Sequence, residues 1–128
     1  MKIRQGDVYW VDLDTVFPDL PHYQKGIRPC LVISNNKNNR YCDLVTVIPL
    51  TTQSDYLPIH KYIFVNCVKN YCLPEQITCI HKSLLREKYG HICDGYMKKV
   101  KDALLIQFSK EGYYETDERP AEAGGEKS

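Results

Sequence analysis

The apolar residues of this chain come in runs too short for ordinary helices, each closed by turn-forming residues, and that punctuation limits the fold more than any other feature. DVYWVDL (7–13), PCLVISN (29–35), LVTVIPL (44–50), HKYIFVNC (60–67) and PEQITCI (74–80) mix β-branched, aromatic and aliphatic side chains in the manner of strands. Five such runs at close spacing predict a small barrel or a strongly bent sheet. The segment NNKNNRYCD between the second and third runs reads as turn chemistry joining a hairpin, and Pro49 predicts an edge or bulge at the end of the third. HKSLLREK, starting at His81, reads as a short helix or single turn, and GHI (90–92) as a brief strand. Only from residue 95 does a helical period take over. GYMKKVKDALLIQF (95–108) sets Met97, Val100, Leu104 and Phe108 on one stripe with Leu105 beside it and lysines opposite, which predicts an amphipathic helix with Asp94 as its N-cap. The fold class that follows is mainly β with a C-terminal α-helix.

At 128 residues and 43% hydrophobic content the chain is one domain, long enough to bury a core without metal or disulfide staples. Residues 1–108 form that domain. Residues 109–128, SKEGYYETDERPAEAGGEKS, have almost no apolar content and are expected to be an acidic, disordered tail. The net charge of +1 hides an asymmetry, since residues 1–108 hold 14 basic and 10 acidic side chains while residues 109–128 hold 3 and 6. A mildly basic body permits nucleic-acid binding through a local patch without requiring it. The start, MKIRQGDVYW, has no stretch like a secretory signal and no run reaches membrane-spanning length, so a cytoplasmic protein with no membrane partner is expected. The six cysteines form no C-x-x-C pair and have no histidine at zinc-knuckle spacing; they are expected to be reduced core or near-core thiols, and neither a metal nor a cofactor is expected.

QGDVYWVDLD, HYQKGIRPCLVISN, VIPLTTQ, LPEQITCIHKSLL and MKKVKDALLIQF occur in the same order and spacing as in MazF/PemK-type toxins, the ribonuclease halves of bacterial toxin–antitoxin pairs, which the chain resembles over residues 4–108. The resemblance implies an SH3-like small barrel with a C-terminal helix (the PemK/CcdB-like toxin fold) and a homodimer. It further implies sequence-selective, metal-independent cleavage of single-stranded RNA, with a cognate antitoxin whose disordered segment wraps the toxin and blocks its RNA groove.

Cutting RNA without a metal requires a base for the 2′-hydroxyl, an acid for the leaving 5′-oxygen, and donors for the extra charge on phosphorus. Arg28, in the G-x-R-P stretch, suits the last task because a guanidinium offers parallel hydrogen bonds to phosphate oxygens. Taken alone it could equally be an arginine paired with a carboxylate at a strand entrance. Thr51 has a hydroxyl able to reach the same phosphate, or to cap an ordinary turn, and Thr52 could exchange roles with it by a one-residue slip. His22 titrates near neutrality and could serve as base or acid, or be a surface histidine without a task. Glu75 could be the base, orient Arg28, or form a structural ion pair. Tyr23, Gln24, Lys25, Thr52, Gln53, Gln76, Thr78 and Lys82 are the candidate RNA contacts, through phosphates and base stacking. His60, His81 and His91 are expected at the surface or core edge. The sequence also departs from the family: Thr78 and Leu73 stand where arginines are usual and Tyr23 where a glutamate is, each removing a charge from the expected groove. Two other functions fit the same fold. One is a non-catalytic CcdB-like toxin that binds DNA gyrase; the other is a degenerate family member that binds RNA without turnover.

Overall fold

The third apolar run becomes β3, Leu44–Thr51, the strand on which the whole sheet is hung. The computed structural model describes residues 2–53 and 57–112. Among them are β1 (Asp7–Asp12), β2 (Ile27–Val32), α1 (Asn36–Tyr41), β4 (Tyr62–Val65), β5 (Val68–Cys72), β6 (Thr78–His81), β7 (Lys88–His91) and α2 (Asp94–Gln107). All pairings are antiparallel. β3 pairs with β2 along one side, while on the other it pairs first with β6, from Leu44↔His81 to Val47↔Thr78, and then with β5 at Leu50↔Cys72 and Thr51↔Tyr71. Pro49, which has no N–H to donate, sits where the partner changes. It is buried and central, so the expected edge or bulge is instead a change of partner, with the Pro49 carbonyl accepting from Leu73 N at 3.1 Å. With the order β4-β5-β3-β2-β1-β7, the sheet curls into a nearly closed barrel, as the short runs predict, of the SH3-like form that the resemblance implies.

Both faces of the central strands are covered. Alternate residues Tyr9, Val11, Cys30, Val32, Val45 and Val47 fill one core with Leu13 and Ile80. Their neighbours Val8, Leu31, Ile48 and Leu50 fill a second with Ile63, Ile92, Met97 and Val100. Strands buried on two faces read as continuous apolar runs rather than alternating ones, which is how they appear in the sequence. α2 closes the second core with Met97, Val100 and Ala103, each such side chain worth about 1.5–3 kcal/mol if it is large and fully buried. Leu105 and Phe108 are 73% and 69% exposed, so the buried stripe is narrower than the apolar one in the sequence.

Other elements also differ from expectation. Residues 36–41 form a short helix, not a plain turn, because the Asn35 side chain caps it by accepting from Asn38 N at 2.8 Å. The run at 60–67 ends its strand at Val65. Asn66 and Cys67, both with positive φ (49° and 66°), make a two-residue hairpin turn into β5, a strand too polar to stand out by pattern. Pro74–Gln76 is a 3-10 turn, leaving only Thr78–His81 as strand. Lys82–Leu84 is a single 3-10 turn, one of the two options for that stretch. The cap of α2 is Cys93, and Asp94 is its first residue, where a carboxylate favours the positive end of the helix dipole. All six cysteines are free, but only Cys30 and Cys72 are buried; Cys67, Cys79 and Cys93 are exposed and Cys42 is half-buried. The expected tail from residue 113 onward lies outside the described residues. Among the described residues no helix is long and apolar enough to cross a membrane.

Candidate active site

Arg28 enters β2 directly behind the β1–β2 loop, and short-range bonds give that loop a defined shape. Its first turn, Leu13–Thr15, is capped by the Asp12 side chain accepting from Asp14 N. The loop then closes on itself: Leu13 N donates to the Gly26 carbonyl at 2.9 Å, and Gly26 N donates to Asp14 Oδ1 at 3.0 Å. Gly26 has φ +75° with nothing within 4 Å of the place a Cβ would occupy, so glycine is needed there for backbone conformation and not for space. Inside the loop Lys25 Nζ donates to the Leu20 carbonyl at 2.8 Å and pairs with Asp19 at 3.2 Å, while the rings of Phe17 and Tyr23 lie 5.0 Å apart.

The Arg28 side chain is exposed and its Nε donates to the Lys25 carbonyl at 2.9 Å. No described carboxylate pairs with it. One edge of the guanidinium is thus held by the backbone, and both terminal amino groups remain for a ligand. Arg28, Lys25, Gln24, Phe17 and Asp14 line an open cleft of about 650 Å³.

Thr51 ends β3. The β2–β3 register ends at Cys30↔Pro49, and Arg28 and Thr51 each lie two residues beyond that pair on their own strands, while Thr51 itself pairs with Tyr71 of β5. The Thr51 oxygen accepts from Gln53 N at 3.1 Å, which is turn capping, but an accepting hydroxyl still has its proton to donate. Thr52 and Gln53 are exposed just beyond the strand. Thr78 is half-buried opposite Val47.

Among the described residues, Glu75 makes no hydrogen bond or ion pair to Arg28 and is held by His60 instead. Both its carboxylate oxygens lie 2.8–2.9 Å from Nε2 of His60, whose side chain is only 3% exposed. Of the alternatives for Glu75, the geometry displays a structural partner, the hydrogen-bonded His60. His60 is accordingly a buried partner rather than a surface residue, a role that neither its position nor any periodicity announces. The adjacent Gln76 reaches the other way: its Oε1 accepts from Gln24 N at 2.9 Å and its Nε2 donates to the His22 carbonyl at 2.8 Å. A contiguous latch, His60–Glu75–Gln76, therefore ties the stretch before β4 to the β1–β2 loop. His22, held by its carbonyl at φ +75°, exposes its imidazole. Lys82 does not join this group and lies at the opposite end of the barrel. Among the described residues no cluster of three or more His, Cys, Asp or Glu is placed to hold a metal.

A curled sheet of short strands closed by a C-terminal helix, with an arginine that pairs with no described carboxylate at the mouth of the β1–β2 loop, defines a small SH3-like barrel. Residues 4–108 match the PemK-like, MazF-like toxin of type II toxin–antitoxin systems, and the chain belongs to that family. It is 32% identical over 115 residues to endoribonuclease EndoA of Bacillus subtilis, covering 85% of this chain and 97% of that protein. It is 33% identical over 110 residues to endoribonuclease MazF of Staphylococcus saprophyticus, covering 81% and 89%. Among solved structures, a mycobacterial endoribonuclease in complex with its cognate antitoxin superposes with a TM-score of 0.62 at 26% identity, covering 81% of this chain and 90% of that one. MazF from Deinococcus radiodurans superposes with a TM-score of 0.68 at 20% identity, over 82% and 94%, which speaks to the fold.

Proposed function

We propose that this protein is the toxin of a toxin–antitoxin pair and an endoribonuclease that cleaves single-stranded RNA by attack of the 2′-hydroxyl on the adjacent phosphate. Its relatives are named endoribonucleases, which favours this reading over a gyrase-binding toxin or an inactive RNA binder. The observation that supports the site is Arg28, exposed at the start of β2, held by the Lys25 carbonyl and paired with no described carboxylate.

In the reaction, the 2′-oxygen forms a bond to phosphorus as the P–O5′ bond breaks, leaving a 2′,3′-cyclic phosphate and a 5′-hydroxyl. Arg28 and the Thr51 hydroxyl donate to the non-bridging oxygens, where negative charge builds. The exposed His22 imidazole on the loop takes the 2′ proton or supplies one to the 5′-oxygen. Glu75 acts through His60 as a positioning residue, and Gln76 as the clamp on the loop that carries His22, Tyr23, Gln24 and Lys25. Tyr23, beside Phe17, offers a base-stacking face, and Lys25 a phosphate contact; Thr52 and Gln53 follow the end of β3, and Thr78 lies opposite Val47 in its middle. The chemistry uses no metal.

A homodimer acting in the cytoplasm and silenced by a cognate antitoxin completes the proposal. The antitoxin is supported by the antitoxin-bound relative, and the dimer by the exposed Leu105 and Phe108 on α2, apolar surface available to a second copy. The test is to map cleavage ends on a long mixed RNA in EDTA with the wild type and with Arg28→Ala. Cuts that vanish in the variant at unchanged melting temperature are expected; intact RNA with folded wild-type protein refutes the reading.

A further inference from the structure

At the end of the barrel away from Arg28 lies a second cleft, of about 740 Å³, whose lining includes Lys2, Arg4, Lys37, Arg40, Lys82 and Tyr41. The topology brings these together from three places. The N-terminal segment reaches the far end of β2 through Gly6 N donating to the Val32 carbonyl; α1 fills the β2–β3 connection; and Lys82 follows β6, its N–H donating to the Asp43 carbonyl. Five of the 14 basic residues in 1–108 thus converge on one cavity whose lining contains no acid. None of the five forms an ion pair with a described residue, although elsewhere Lys25, Lys88 and Lys98 each have an aspartate partner. Like charges gathered in a lining that holds no acid repel, and the arrangement is relieved by a bound polyanion. Beside them the Tyr41 ring is 75% exposed, with the Arg40 guanidinium carbon 5.4 Å from its centroid. A cation-backed open aromatic face suits stacking of a nucleobase better than it suits an acidic peptide.

We propose that this cleft is a second binding site for single-stranded RNA, taking backbone phosphates on Lys37, Arg40 and their neighbours and one base on Tyr41, away from the point of cleavage. The proposal rests on the ribonuclease reading above. The eight residues of β3 separate the two ends by roughly 23 Å at about 3.3 Å per residue, so the site serves long RNA and is out of reach of a substrate only a few nucleotides long. It also accounts for the placement of Lys82, which belongs with this cluster and not with Arg28.

The test uses the full chain and a mixed-sequence 20-nucleotide RNA carrying 2′-O-methyl groups throughout, which cannot be cut, with the dissociation constant followed against KCl. Lys37→Gln with Arg40→Gln is expected to weaken binding about 10-fold at low salt and to reduce the slope of log K against log salt by about 1.4, at about 0.7 per single-strand phosphate contact. Tyr41→Ala is expected to weaken binding at unchanged slope. Cleavage of unmodified short RNA should be unaffected in both. Unchanged affinity and slope, in variants that melt like the wild type and with a wild type that still cuts RNA, overturns the second site and leaves the ribonuclease reading standing. Wild type that cuts no RNA overturns that reading instead. If the double substitution weakens only binding of a synthetic peptide of residues 109–128, the RNA assignment is wrong.

Discussion

Replacing Gln76 by alanine isolates the latch that shapes the active end of the molecule. The side chain makes two hydrogen bonds, both to backbone of the β1–β2 loop, at Gln24 N and the His22 carbonyl. Each such bond is worth about 0.5–1.5 kcal/mol net, so the closed loop should lose about 1–3 kcal/mol, equivalent to about 5- to 150-fold in its opening equilibrium. Opening is local, because the loop's other ties (Leu13 to Gly26, Gly26 to Asp14, Lys25 to Leu20) lie within it or at its base. The cores of the barrel stay packed. Hydrogen exchange is the direct assay: the Gln24 amide, which donates to Gln76, should lose protection by that factor while β3 amides keep theirs. RNA cleavage should fall in parallel. Gln76→Glu offers a graded control, since a carboxylate can still accept from Gln24 N but has no donor for the His22 carbonyl. It should lie between the wild type and the alanine variant in both activity and Gln24 protection. Unchanged Gln24 exchange in the alanine variant would refute the latch.

The remaining predictions concern groups outside that latch. Burial raises the Asp7 carboxyl, but the Arg4 amide at 2.9 Å, His91 at 2.7 Å and Lys88 at 3.2 Å more than offset it and hold the pKa below the ordinary 3.8. A carboxyl depressed in the fold stabilises it above its unfolded value, so this contribution is complete above about pH 4 and lost as pH falls through the lower folded value. Asp7→Asn should cost about 2 kcal/mol at neutral pH by denaturant titration and flatten the acid limb below pH 4; an unaltered acid limb would exclude Asp7 as its source. The thiols of Cys30 and Cys72 are pushed up to about 12 by burial, so native protein should react quickly with a thiol reagent at exposed Cys67, Cys79 and Cys93, and at Cys30 and Cys72 only on unfolding. Gly26→Ala should destabilise by about 1 kcal/mol through the left-handed backbone alone and reduce cleavage by loosening Arg28, with no clash to relieve; a neutral result would show that the turn relaxes.

Much of the architecture could be read from local pattern because local physics decides it. The runs of DVYWVDL, PCLVISN and LVTVIPL are buried on both faces, and their β-branched content marks them as strands whatever their partners. The amphipathic repeat of 95–108 names its helix in the same way. β5 was invisible because its residues, Val68 to Cys72, are strand by pairing with β4 and not by composition. The helix at 36–41 was hidden because asparagine is a weak helix former, and only the Asn35 cap makes the turn continue.

At the site the division is sharper. Sequence alone determined which side chains could do the chemistry: a guanidinium after a glycine turn, a threonine at a strand end, an acidic–Gln pair before the last strands. These are properties of residue type and of near neighbours. Tertiary structure decided which of them meet. It kept β2 and β3 in register as far as Cys30 and Pro49, two residues short of Arg28 and Thr51, gave Glu75 to His60, gave Gln76 to the loop, and carried Lys82 to the far end of the barrel. Such choices depend on the curl of the sheet, which joins residues dozens of positions apart, and no window along the chain contains that information.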